Sequence, residues 1–441
     1  MPPRPFVAPA GLDALGHLPG ERGWPMLGHA VEFLRDPRGL THRMHAAHGK
    51  CYRTGFLGIV AVVLLGEDAL ELVLRDREQV FSSERGWSFS LGRLFPNGLM
   101  LRDFDVHRLH RRIMQVAFKR DALSGYWATM RPILERGIAK TTTLGYPWIK
   151  QMTLDAAGAI FLGLEGEADL RRVNQLFVDT MLAASAALRF DWPGTTFARG
   201  LKARRELDAW VAELIPQRRG GSQRDMLTIL CNTTTEEGER FSDREIIDHI
   251  IFLLLAAHDT TTSALTNLML ELGRRPEWQT RLRQQSQAIG ALDEEAIPKL
   301  SLVYDCFREV LRLYPPVRAI PRRALRELEV NGHRIPANAQ MWLNVERIQR
   351  DPKIYTNPDD FDPERFADGR AEHKRHRFGW IPFGAGAHTC LGLQFAELQV
   401  KMFMHLLLTQ YEWSVEAGPM QYLPFIKPKN DLPVQLKRLA A

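Results

Sequence analysis

The period of the hydrophobic pattern changes along the chain. In CYRTGFLGIVAVVLLG, Cys51 to Gly66, β-branched and aromatic residues flank Leu57-Gly58, which predicts two strands joined at that turn. From about Val106 to Leu313 apolar residues recur at three and four positions, so 106–313 reads as helical. Strand signals return within 317–345, and Asn331-Gly332 in LEVNGHRIP predicts a hairpin. A Pro- and Asp-rich meander, DPKIYTNPDDFDPERF, opens the stretch 351–392. A helix, LGLQFAELQVKMFMHLLL, follows, and FIKPKNDLPVQL reads as a closing hairpin. The pattern predicts a mainly α chain with a small β-rich region.

One predicted helix stands out. Ser242 and Glu245 in FSDREII form a capping box, and the helical pattern runs on to about Leu272. Its middle, FLLLAAHDTTTSAL, is apolar nearly all round and so is expected to be buried. His258, Asp259 and three threonines lie inside that run. Buried polar groups need partners, so this helix is expected to pass a ligand or a wet groove.

Composition narrows the class without choosing the activity. The 441 residues are 45% hydrophobic and 25% charged, as in an ordinary globular protein able to enclose a ligand. The N-terminal residues show no signal-peptide pattern and no apolar run that could span a bilayer, so no membrane anchor and a cytoplasmic location are expected. Cys51, Cys231, Cys306 and Cys390 are widely spaced, which argues against a disulfide framework or a structural zinc site. The net charge of +6 permits an acidic partner but does not require one.

The chemistry concentrates in FGAGAHTCLG, Phe383 to Gly392. It is not a dinucleotide loop, because Thr389 holds the third glycine place, and it lacks the Gly-Lys-Ser/Thr of a phosphate loop. Two potential ligands, His388 and Cys390, are too few for zinc. No resolving cysteine lies nearby for a redox switch. A cysteine at a helix N-terminus favours a thiolate, and a thiolate can be the sole protein ligand of a haem iron. Gly384, Gly386 and Gly392 would let the backbone approach a flat macrocycle, Phe383 would shield the sulfur, and His388 would reach a propionate.

This Phe383-Gly384-x-Gly386-x-His388-x-Cys390-x-Gly392 pattern resembles the haem loop of the cytochrome P450 family. Three further segments resemble the same family in the same order, so the likeness covers nearly the whole chain. It implies the P450 fold over 1–441 as a single catalytic domain, and haem b with Cys390 as its axial thiolate. Glu309 and Arg312 in EVLR match the family's Glu-x-x-Arg motif, with Arg365 in PERF as the third member of a structural triad; read alone, the pair could also be a solvated surface pair. In AAHDTT, Ala256 and Thr260 share a helix face, and Asp259 and Thr260 match the acid–alcohol pair that handles oxygen and protons. Spacing alone also allows a threonine bonded to its own helix. Ala257 replaces the usual glycine. His107 and Arg111 in HRLHRR, and Arg322, match the residues that hold the propionates, although a basic solvated face would look alike.

The activity so implied is a monooxygenase: one oxygen atom of O2 enters a substrate, and electrons come from a separate acidic ferredoxin or flavodoxin with an NAD(P)H-dependent reductase. Arg370, Lys374, Arg375 and Arg377, with Arg112, Lys119 and Arg120, are the candidate docking face. Nucleic acid is not expected, since no aromatic platform is interleaved with the basic clusters, and a monomer is expected. The segment 85–101 reads as a loop covering the pocket, with Trp87, Phe89, Leu91, Leu94 and Phe95. Ala256, Val317, Ala319 and Ile320 complete an apolar pocket, which suits a steroid, terpenoid, retinoid or fatty acid, although ordinary core packing gives a similar pattern. MLAASAALRF, Met181 to Phe190, is a looser match to the pocket roof. Arg85, Arg93 and Arg318 are candidate anchors for a substrate carboxylate. Two alternatives stand beside this reading, a peroxygenase using hydrogen peroxide and a non-catalytic haem binder or sensor.

Overall fold

The computed structural model describes residues 6–140, 142–184, 186 and 189–440. Its centre is one helix, Asp243–Gly273, packed against the helices Gly145–Leu162, Thr196–Arg218, Ser301–Leu313 and Leu393–Leu408. The capping box forms: Ser242 accepts from the Glu245 amide, and Glu245 Oε2 accepts from the Ser242 amide at 3.0 Å. Nearly every residue from Ile246 to Leu272 is buried. Several polar side chains among them find partners, as burial favours. Thr262 Oγ1 lies 2.7 Å from Thr153 Oγ1, and Ser263 Oγ and Asn267 Nδ2 donate to the Ile426 carbonyl at 2.7 and 2.8 Å.

The β-rich part is a six-stranded sheet in the order Gly20–Glu21, Cys51–Phe56, Ile59–Leu64, Gln340–Asn344, Ala319–Ala324, Phe81–Ser82. The first predicted hairpin pairs Cys51 with Leu64 and Phe56 with Ile59, and it turns through Leu57 (φ 48°) and Gly58 (φ 82°). Leu328–Val330 and His333–Ile335 form the second, with Asn331 (φ 50°) and Gly332 (φ 75°) at the turn. Both turns use positive φ at two successive residues, the twist that suits an antiparallel ribbon. One buried apolar cluster fills the helical part, and a second lies beneath the sheet and the Phe378–Ile381 stretch.

Two expectations need correction. FIKPKNDLPVQL is not a hairpin on itself: Lys427–Pro428 pairs with Met420–Gln421, and Val434–Arg438 pairs with Tyr411–Val415. Alternation marks a strand but not its partner, and the positive φ of Asp431 and Leu432 sends the second half away from the first. The segment 85–101 is also not an open loop. A helix spans Ser83–Leu91 and a 3-10 turn spans Leu99–Leu101. Ser82 Oγ accepts from the Arg85 amide at 2.9 Å, and Asp103 Oδ1 accepts from the Ser83 and Glu84 amides at 2.7 and 3.1 Å. That carboxylate comes from twenty residues downstream, beyond any local helix signal.

Candidate active site

The cysteine loop is held by its own backbone. Gly384 donates to the Ile381 carbonyl at 3.0 Å, Cys390 to Phe383 at 2.8 Å, and Thr389 to Gly386 at 3.2 Å. Gly384 and Gly386 take φ of 69° and 70°, which favours glycine, and a Cβ on Gly386 would strike the Leu74 carbonyl oxygen. At Gly392 a Cβ would come within 4.0 Å of Cys390 Sγ. Phe383 sits between Phe307 and Trp380, with ring centroids 6.4 and 6.0 Å away. Gly392 caps the helix Leu393–Leu408, so Cys390 stands just ahead of its N-terminus. Cys390 is exposed as a residue, yet its sulfur is set deep among protein atoms. Burial raises the thiol pKa; the Gly392 amide and the Arg111 guanidinium pull it down without cancelling the rise. A cation at the sulfur would complete the deprotonation, because a coordinating thiol gives up its proton.

Around that loop stands a crown of basic side chains. The His107 and His388 rings lie 3.9 Å apart, and Arg111 Nη1 donates to the Thr389 carbonyl at 2.7 Å. Burial, then Arg322, His107 and Arg111, push the His388 pKa down to about 2. Burial, then Arg111 and Arg322, take His107 to about 4. Arg322 is buried, which lowers its pKa to about 10, and Nη1 donates to the adjacent Pro321 carbonyl at 2.9 Å. Asp103 and Asp76 act on it through space, but both carboxylates are engaged with backbone amides. Two arginines and two imidazoles thus converge without a carboxylate bonded among them. Such a set fits the two propionates of a haem.

The loop rests on a buried charge cluster. Glu309 accepts from Arg312 Nε and Nη2 at 2.7 and 2.8 Å, and from Arg365 Nε at 3.0 Å, with all three residues fully buried. Arg365 Nη1 also donates to Glu372 Oε2 at 2.6 Å. Burial raises the Glu372 pKa, but hydrogen bonds from Arg370, the Thr356 amide and Arg365 bring it down to about 2. Gln349 links the cluster to the loop: Arg312 Nη1 donates to its carbonyl at 2.9 Å, and its Oε1 accepts from the Ile381 amide at 3.0 Å. Sequence reasoning missed Glu372 and Gln349. Each lies in a stretch of unremarkable polar residues, and only burial reveals them.

On the long helix, Ala256 is exposed and Ala257 and Thr260 are half-buried in an otherwise buried run, so one face meets a cleft. Thr260 Oγ1 donates to the Ala256 carbonyl at 2.6 Å, Thr261 to Ala257 at 2.8 Å, and Thr262 to His258 at 2.8 Å. The helix is unbroken at Ala257. Asp259 is buried, with Lys150 Nζ at 3.5 Å and His258 Nε2 at 3.0 Å. Burial raises its pKa, and His258 and Lys150 together lower it further. Lys150, on the neighbouring helix Gly145–Leu162, was also missed, because nothing in the sequence pairs it with Asp259.

The expected pocket residues divide. Trp87, Phe89, Val317 and Ala319 are half-buried, and Ile320 is buried on the strand Ala319–Ala324. Leu91, Leu94 and Phe95 belong to the main core cluster, and the buried Arg204 guanidinium stands 5.8 Å over the Phe95 ring. These three are buried in the core rather than set on an open cover. In the segment Met181–Phe190, Ser185, Ala187 and Leu188 lie outside the described residues. Arg318 is engaged with Glu346 at 2.6 Å, Arg93 Nη1 donates to the Arg189 carbonyl at 3.1 Å, and Arg85 is exposed. The basic face is partly neutralised. Arg112 pairs with Glu237 and Glu239 at 3.1 and 3.2 Å, Arg370 with Asp362 and Glu372 at 2.6 and 2.9 Å, and Arg375 with Glu372 at 3.5 Å. Lys374 lies 3.8 Å from Asp368, while Lys119, Arg120 and Arg377 have no ion pair among the described residues.

The family model for cytochrome P450 matches residues 18–430. The chain is 35% identical to the putative cytochrome P450 136 of Mycobacterium tuberculosis over 99% of its own length and 92% of that protein. It is 26% identical to the β-amyrin 28-monooxygenase of Medicago truncatula, covering 95% and 92%. A solved structure, the retinoic acid-bound cyanobacterial CYP120A1, superposes with a TM-score of 0.87 at 29% identity, covering 96% of this chain and 99% of that one. Among the described residues no helix is long and apolar enough to cross a membrane. With its glycine-cradled cysteine and its P450 fold, the chain belongs to the cytochrome P450 family of haem-thiolate monooxygenases.

Proposed function

We propose that residues 1–441 act as one catalytic domain that holds haem b through Cys390 and inserts one oxygen atom of O2 into a bulky lipophilic substrate. Electrons would arrive from a separate acidic ferredoxin or flavodoxin served by an NAD(P)H-dependent reductase. The convergence of Arg322, His107, His388 and Arg111 beside the Cys390 loop carries this reading. Haem bound there would supply the electron-accepting and oxygen-activating chemistry. The chain's own residues do the rest. Arg322, Arg111 and the two histidines would bind and orient the propionates, and Phe383, packed against Trp380, would limit water at the sulfur. The Thr260 hydroxyl proton goes to the Ala256 carbonyl, so its lone pairs are free to accept from the cleft. Asp259 Oδ1, held by Lys150, can take protons from the far side of the helix and pass them toward the Thr260 turn.

The half-buried Trp87, Val317 and Ala319 would give the pocket an apolar lining, which supports a steroid, terpenoid, retinoid or fatty acid as substrate. The retinoic acid held by the similar cyanobacterial protein and the β-amyrin oxidised by the plant relative fit that class. A screen of those four classes for haem spin-state change, followed by product analysis, tests the reading. At least one class should shift the spin state and yield a product one oxygen atom heavier. No shift and no product with any class would contradict it. The unbroken helix at Ala257 favours a second reading, peroxide-driven turnover, which predicts product with hydrogen peroxide and none with the reductase chain.

A further inference from the structure

The helix Phe104–Gln115 carries two of the proposed haem anchors, His107 and Arg111. His110 stands between them in sequence and is buried. Its Nδ1 lies 2.7 Å from Nε2 of His249 on the central helix, and its Nε2 lies 3.5 Å from Glu245 Oε1 on the same helix. His249 is buried as well. Among the described residues, every hydrogen bond and ion pair between these two helices is made by His110. The Phe241 ring closes the site, with its centroid 5.0 Å from that of His110 and 4.8 Å from that of His249. The proposed function uses neither histidine.

The partners assign the protons. Glu245 accepts, so His110 carries its proton on Nε2 and offers the lone pair of Nδ1. His249 then donates from Nε2, which leaves a lone pair on its Nδ1, and that atom has no hydrogen-bond partner among the described residues. One further proton spoils the arrangement at either ring. On His110 Nδ1 it sets two donors against each other; on His249 Nδ1 it leaves a buried N–H without an acceptor. The surroundings give little relief. Glu245 is already committed to the Ser242 amide and hydroxyl, at 3.0 and 2.8 Å. Asp248 is occupied by Arg204, Arg244 and Asn97, and Glu237 and Glu239 by Arg112. Burial and then Arg102 lower the His110 pKa to about 4 against the pull of Glu245, and burial, His110 and Arg102 take His249 well below its ordinary value. His107, one turn earlier on the same helix, is a further basic group within electrostatic reach of His110.

We propose that His110 and His249 form an acid-releasable clamp that seats the haem-anchor helix against the central helix. They are positioning residues: His110 fixes where its neighbours His107 and Arg111 stand. The clamp rests on the reading that haem lies against the Cys390 loop. The folded pKa of His110 lies below the ordinary 6.5, so the clamp is complete above that value and is lost as pH falls from about 6.5 toward about 4. Protonation of His107 or His388 would act the other way, since it adds a charged donor toward a propionate.

Haem transfer from the holoprotein to apomyoglobin tests the clamp. Wild-type transfer should quicken about ten-fold between about pH 7.5 and about pH 5.5, as a fall of the His110 pKa from 6.5 to about 4 predicts. His110→Gln with His249→Gln keeps a hydrogen bond across the helices but has no proton to gain. Its transfer should match the wild type at the higher pH and change little at the lower. His110→Leu severs the link at every pH and should release haem faster already at about pH 7.5. Equal pH dependence in the wild type and the glutamine pair overturns the clamp, and so does unchanged release from His110→Leu. Urea unfolding gives a readout that does not depend on how haem is ligated. The wild type should lose stability faster than the glutamine pair as pH falls from about 6.5 toward about 4; parallel curves overturn the clamp. The reduced carbon monoxide spectrum at neutral pH separates the two claims. A missing thiolate band sinks the haem reading and leaves the unfolding curves to judge the clamp, whereas a normal band with pH-independent wild-type transfer sinks the clamp alone.

Discussion

Thr260 and Arg322 are where single side chains carry the most chemistry. Thr260→Ala removes the hydroxyl that faces the cleft but leaves the helix intact. The variant should bind haem and substrate normally and divert reducing equivalents to hydrogen peroxide; tight coupling of electrons to product would refute the role given to Thr260. Arg322→Gln removes a buried cation bonded, among the described residues, only to a neighbouring carbonyl and set near His388, His107 and Arg111. Haem retention should fall by about ten-fold or more, the worth of a charge-assisted hydrogen bond, measured by transfer to apomyoglobin. Unchanged retention would mean that the guanidinium does not meet a propionate. The sequence pointed to both residues through motif resemblance. Spacing also allowed the Thr260 hydroxyl to bond back to its own helix, as it does at Ala256; it did not indicate that Lys150 holds Asp259, which depends on which atoms meet across folded helices.

Elements reveal how far pattern reaches and where it stops. The Leu57-Gly58 and Asn331-Gly332 turns and the Ser242 capping box were legible, because each is decided by the few residues beside it. The helix Ser83–Leu91 was not read, since its N-terminus is held by Asp103 from another element as well as by the adjacent Ser82. The C-terminal strands were recognised, but their partners were not. The charge cluster below the cysteine loop is the element on which site geometry depends. Arg365→Leu leaves Glu309 and Glu372 short of a donor in a fully buried place and should cost about 3–5 kcal/mol in urea unfolding. A loss within experimental error would show the cluster to be dispensable. Glu372 also sets an acid limit. Its folded pKa of about 2 lies below the ordinary 4.5, so its contribution is complete above that value and fades as pH falls from about 4.5 toward 2. Across that window the wild type should lose stability faster than Glu372→Gln; parallel curves would contradict the assignment.

At the scale of the whole molecule, the proposed delivery of electrons by an acidic partner would depend on the charges of the cysteine face. Phe118 abuts Gly392, so Lys119 and Arg120 follow directly beside the loop. With Arg377 they are the face's cations without internal ion pairs among the described residues, unlike Arg370, Arg375 and Arg112. Neutralising Lys119, Arg120 and Arg377 should slow reduction by an acidic ferredoxin several-fold at low salt, and neutralising Arg370 and Arg375 should do less. Equal effects would remove the distinction between free and engaged charge. All of this presumes a sulfur–iron bond at Cys390. The most direct test is the absorbance spectrum of the reduced, carbon monoxide-bound protein, compared with Cys390→Ser. The wild type should show the strongly red-shifted Soret band of thiolate ligation, and the variant should lose it while retaining bound haem. A wild-type spectrum without that band at full haem loading, or an unchanged spectrum in the variant, would contradict the account.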